Sequence, residues 1–192
     1  MSHLIVMSCS CIELETRHGQ GDCKCARYRK EFPNCACERE SVSKHSPGPV
    51  DDSEVLVRTL FRERHIDQDG RLKPAYFRPE PVNRGFSVDR VLLMGPKPLK
   101  SSKRTDARYN GYLKFTATCS GDVRELLRDG QRLFCIYDSA TVENKAHADI
   151  CQNVHVKRGT DNRKRLMMEI AWQLRSAFRA PQPDPPTSLT DG

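Results

Sequence analysis

Hydrophobic and polar positions divide the chain into a few short strands and one long helix. Val55–Phe61 (VLVRTLF) is rich in β-formers and bounded by acidic turn residues, which predicts a strand. Asp67-Gln68-Asp69-Gly70 predicts a turn, and Leu72–Phe77, interrupted by Pro74, an edge strand or a loop. Phe86-Ser87-Val88 reads as a short extended piece leading into Asp89–Met94. Tyr112–Cys119 alternates and predicts a strand, and a helix over Val123–Leu127 is stopped by Asp129-Gly130. Arg132–Tyr137 is apolar enough for a buried strand. Asn144–Cys151 fits either the start of a helix or an extended segment leading to Val154 and Val156. Asp161 caps a helix over 162–178, where Met167, Ile170, Ala171, Leu174, Ala177 and Phe178 share one face and Trp172 flanks it. These elements predict a single α+β domain of four to six strands with two or three helices.

Composition sets this body apart from its flanks. Six of the nine cysteines lie in the first 37 residues as three Cys-x-Cys pairs, Cys9/Cys11, Cys23/Cys25 and Cys35/Cys37. A Ser/Pro/Gly-rich joint follows, so the expected division is a Cys-rich head and linker over 1–49, a body over 50–180 and a disordered Pro-rich tail over 181–192. Cysteines at i and i+2 lie on one side of an extended segment, so the six thiolates could hold one or two zinc ions. Two plainer readings stand beside this one: a disordered head, or an upstream extension ahead of a true start near Val50. Cys119, Cys135 and Cys151 are far apart in sequence, and core packing is the expected role of each.

With no run approaching the ~20 apolar residues of a membrane span, and no cationic lead to a signal segment, the chain reads as cytoplasmic with reduced thiols. The net charge of +7 resides almost wholly in the body. It points to an anionic partner, nucleic acid among them, by a weak and sequence-indifferent attraction. Arg58, Arg62, Arg90 and the basic loop with Lys100, Lys103 and Arg104 are the candidate anion-binding residues.

Phosphate-loop and dinucleotide fingerprints are missing, which argues against a nucleoside-triphosphatase or a dehydrogenase. Ser87 lacks the Gly-x-Ser-x-Gly setting of a nucleophile elbow. A calcium loop at Asp67–Gly70 fails, because His65 stands where its first carboxylate belongs and Tyr76 where its bidentate Glu belongs. His147, in the polar run Glu143–Asp149, and His65 are the candidate acid–base pair for a metal-independent attack on a phosphodiester or nucleotide. A helix here would also align His147, Cys151 and His155 as metal ligands, but the alternation at Val154-His155-Val156 favours extended chain.

The pattern Leu56-x-Arg58, Asp69-Gly70, Phe77, Gly85-Phe86-Ser87-Val88 and Asn144-x-x-His147-Ala148 resembles a scattered set of small bacterial proteins of unknown function over residues 54–151. A fainter likeness is to ADP-ribosyltransferase-type folds, which would give Arg58 and Ser87 roles in binding NAD; the late Glu of that pattern has only Glu143 to fill it. The leading expectation is a binding or accessory protein for an anionic partner. The alternatives are the histidine enzyme and a zinc-stapled interaction module.

Overall fold

A computed structural model of the chain describes residues 24–40, 42–77, 85–94, 113–156 and 162–182. Its framework is a five-stranded antiparallel sheet. In chain order the strands are β1 (Val55–Phe61), β2 (Phe86–Arg90), β3 (Leu113–Cys119), the short β4 (Leu127–Arg128) and β5 (Gln131–Arg132), β6 (Phe134–Asp138) and β7 (His147–Gln152). The large sheet runs β3-β1-β2-β7-β6, and β4 and β5 form a separate hairpin. The helices are α1 (Lys24–Glu31), α2 (Arg62–His65), α3 (Ser120–Arg124) and α4 (Arg163–Ser176).

The α+β expectation holds, and β1 has the predicted limits. One local reading changes, and two open ones are resolved. The expected helix over Val123–Leu127 lies earlier, as α3, and hands the chain to β4. Asp129 and Gly130, both at positive φ (50° and 74°), form the two-residue turn of the β4–β5 hairpin and do not stop a helix. Leu72–Phe77 contains a 3-10 turn over Pro74–Phe77. His147–Gln152 is a strand, the extended alternative for this segment that the alternation favoured, so no helical face aligns His147, Cys151 and His155.

Alternation along the strands gives the sheet two different faces. Leu56, Leu60, Phe86, Val88, Ile136 and Ile150 pack on one face against Ile170, Ala171, Leu174 and Phe178 of and just after α4. Rings of Phe77, Phe86 and Phe178 meet there at centroid distances of 4.9–5.5 Å. Replacing Leu174, which is fully buried, with Ala should cost about 2–5 kcal/mol through lost transfer energy and a residual cavity. A melting temperature unchanged by Leu174→Ala would place that face in solvent. After α4 the chain pairs with the outer edge of β3, Gln182 N–H donating to Phe115 O and Phe115 N–H to Gln182 O, each at 2.7 Å, which covers an otherwise open edge.

The opposite face of β6 and β7 is covered by residues 24–49. Cys25, Tyr28, Cys35, Cys37 and Val42 pack there against Cys135, Tyr137 and Cys151. Two disulfides, Cys25–Cys151 and Cys35–Cys135, fasten α1 and the turn after it to neighbouring strands. Cys37 is disulfide-bonded as well, and Cys9, Cys11 and Cys23 lie outside the described residues. The polar ties are equally specific. Buried Glu38 accepts from Ile136 N–H at 2.6 Å and pairs with Arg124 and Arg132, and Arg29 donates to Gln152 O at 2.8 Å.

This arrangement corrects several expectations. Residues 24–49 do not stand apart as a linker-tethered head; they form one wall of the fold. Cys25, Cys35 and Cys37 are engaged in disulfides, so they are not thiolates offered to an ion, and no group of His, Cys, Asp and Glu among the described residues is arranged to hold a metal. Cys135 and Cys151 are buried as expected, but as disulfide partners. Cys119 alone of the described cysteines is free, with its thiol 3.2 Å from Asp52 O. Disulfides persist in oxidising surroundings, so the premise of reduced thiols fails for these residues. No helix among the described residues is long and apolar enough to cross a membrane.

Candidate functional site

Coverage of the second face stops at β7, and the consequence is visible in burial. Strands β6 and β7 are buried on nearly every residue, whereas β2 alternates, with Phe86, Val88 and Arg90 buried and Ser87 and Asp89 partly open. The β1–β2 ladder is also short, matching only Leu56 with Arg90 and Val57 with Asp89. Beyond those two pairs a cleft of about 290 Å³ opens between the strands. Its floor carries Thr59 from β1, Ser87 and Asp89 from β2, and His147 from β7; Arg58, Arg64, His65, Tyr76 and Asn144 complete the walls. His65 and His147, 82 positions apart, therefore line one cavity.

The cationic end is built by α2 and the Pro74–Phe77 turn. Arg58 Nε donates to Tyr76 Oη at 2.6 Å, and its Nη1 donates to Ser87 O in the gap left by the short ladder. The guanidinium carbon sits 4.2 Å from the Phe86 ring centroid and 5.2 Å from that of Tyr76, in the corner made by these two edge-to-face rings, where cation–π attraction helps hold it. His65 stacks on Tyr76 at 3.6 Å between centroids. Burial, with the positive field of Arg58, Arg64 and Lys73, pushes His65 down to about 3. It is a neutral ring at ordinary pH, with one N–H to donate. Arg64 is exposed and has no ion-pair partner among the described residues.

The other end is ordered by Asp149, fully buried beneath the cleft floor. Lys24 of α1 and the Ser139 hydroxyl both donate to its Oδ2, and the Ser87 hydroxyl donates to Oδ1 at 3.3 Å. Burial alone would raise this carboxyl; Lys24, His147 and the bonds from Lys24 and Ser139 outweigh it and hold Asp149 below the usual carboxylate range. Gly85, at φ +93°, is needed against it: an added Cβ would come 2.5 Å from Asp149 Oδ1. His147 Nδ1 lies 2.9 Å from Ser139 Oγ and 3.1 Å from Ser139 O. A carbonyl oxygen can only accept, so the neutral ring carries its proton on Nδ1 and keeps a lone pair on Nε2. Asn144 Nδ2 donates to Asp89 Oδ1 at 2.7 Å, at the same end.

The sequence candidates thus divide. Arg58, His65 and His147 converge, joined by Ser87 and Asn144. Arg90 does not: its guanidinium is buried, forked onto Glu54 at 2.7 and 2.6 Å, and bonded to Gly48 O and Pro49 O, so it is not open to an external anion. The side chain of Arg62, and Lys100, Lys103 and Arg104, lie outside the described ones. Sequence reasoning missed Thr59, Arg64, Asp89, Lys24, Ser139 and Asp149. Only Asp149, two residues after His147 in a strand and hence on its face, left a signal that could have been read. No family model, curated protein or solved structure matches the chain.

Proposed function

We propose that this chain is a binding protein whose cleft captures a small anion. The supporting observation is the cationic end: Arg58 held against Phe86 and Tyr76, with exposed Arg64 beside it, at the mouth of a concave polar site. Guanidinium groups so placed suit phosphate or carboxylate oxygens. At about 290 Å³ the cavity is at the low end of ligand pockets, roughly 300–1,000 Å³, which favours a small molecule over a polymer. Titration calorimetry with inorganic phosphate should give saturable binding to the disulfide-bonded chain. Arg64→Glu, a change on the exposed rim, should weaken it about tenfold, the equivalent of one lost charge-assisted bond. Equal affinity of the two proteins would overturn the reading.

A second reading is hydrolysis of a phosphate ester with His147 as general base. It is favoured by the anchoring of Nδ1, which leaves Nε2 as the basic atom in the cleft. Bis(p-nitrophenyl) phosphate is the probe. On this reading His147→Gln abolishes turnover while phosphate binding persists.

A further inference from the structure

We propose that the anion is the phosphate of a phosphorylated sugar, with the sugar hydroxyls held at the end of the cleft opposite the arginines. The inference deepens the anion-binding reading and rests on it. It starts from the order of groups along the cleft. Because β1 and β2 are antiparallel and Val57 faces Asp89, moving along β1 from Val57 through Thr59 to α2 means moving along β2 from Asp89 to Ser87. One end therefore holds Asp89 with Asn144 and His147. Thr59 and Ser87 come next, level with each other, with the Arg58 guanidinium beside them on Ser87 O and Tyr76 Oη, and α2 beyond the end of β1 supplies Arg64 and neutral His65. A cleft for a bare anion would have no use for a carboxylate. Asp89 has no cation partner among the described residues and bonds only Asn144. It repels a second anionic group and accepts hydroxyl donors, which fits a molecule charged at one end and hydroxylated at the other.

Thr59 supplies an independent sign. Its side chain is more than nine-tenths buried and lines the cleft, yet its Oγ1 has no hydrogen-bond partner among the described residues. Buried hydroxyls are normally bonded, and leaving one unsatisfied is costly. Its position between Asp89 and α2 is where a ring or chain hydroxyl of such a ligand would lie. The His147 Nε2 lone pair adds a second acceptor beside Asp89. The cavity size suits a pentose or hexose monophosphate and is small for a dinucleotide.

Calorimetric titration of the intact, disulfide-bonded chain with ribose 5-phosphate, inorganic phosphate and ribose tests the idea. Ribose 5-phosphate should bind at least about tenfold more tightly than phosphate, and ribose alone far more weakly than either. Thr59→Val, which keeps the side-chain shape, and Asp89→Asn, which keeps an acceptor but removes the charge, should each bring the ratio toward one while phosphate affinity is retained. Near-UV circular dichroism confirms that both variants keep the native packing. If phosphate and ribose 5-phosphate bind equally to the unaltered protein, the sugar assignment falls and the anion reading stands. If neither binds, both fall. A ratio unchanged in both variants places the sugar elsewhere and also overturns the assignment.

Discussion

Replacing Asp149 with Ala should cost about 3–5 kcal/mol, because it strands a charged Lys24 in a site that is 10% exposed. The loss is compounded locally: Ser139, Ser87 and the ring of His147 all take their orientation from this carboxylate. The pair contributes little as attraction, since two ions have been removed from water; its importance lies in what remains when one partner goes. Urea denaturation measures the effect, and the double variant Lys24→Met/Asp149→Ala should recover at least about 1 kcal/mol relative to Asp149→Ala, the signature of coupled neighbours. The pH dependence follows from the depressed folded pKa. Stability from Asp149 is complete above the unfolded carboxylate value of about 3.9 and is lost as pH falls through the lower folded value. A cost below about 1 kcal/mol for Asp149→Ala would show that the ion pair does not tie α1 to the sheet.

The second large effect concerns residues 24–49. The disulfides join positions 126 and 100 residues apart, and closing loops of that length restricts the unfolded chain by about 4–5 kcal/mol each on the entropic model. Reduction should therefore lower the melting temperature sharply. A chain beginning at residue 50 would expose Tyr137, Cys135 and Cys151 and lose the cation facing Asp149, and it should be molten and aggregation-prone. The linker composition of the joint, by contrast, would let the body over 50–180 fold without the head. Two measurements decide it: alkylation of the unreduced, denatured protein, in which Cys25, Cys35, Cys135 and Cys151 should stay unlabelled, and thermal unfolding of the truncated chain. Labelling of all four cysteines together with a cooperative transition in the truncated chain would restore the separate head.

What these two effects share is contact between segments more than a hundred residues apart, and here sequence and structure part company. Local pattern determined β1, the strand ending at Cys119, and the buried stripe of α4. Each depends on a period of two or 3.6 residues and on neighbours within a few positions. The polar cluster around His147 was legible for the same reason. The destination of the cysteines was not. Two sulfurs on one side of a segment suit an ion or two separate disulfides equally well, and only the placement of β6 beside β7 under α1 puts Cys135 and Cys151 within reach of Cys35 and Cys25. Arg58 and Arg90 look alike as strand arginines. The fold gives Arg90 a buried carboxylate and leaves Arg58 at the mouth of a cleft, because the β1–β2 ladder closes at one and opens at the other. The cleft itself follows from strand order β3-β1-β2-β7-β6, which brings residues 58, 87 and 147 side by side. Hydrophobic periodicity tells each strand which side to bury; the choice of its neighbours is made by the packing of the whole chain.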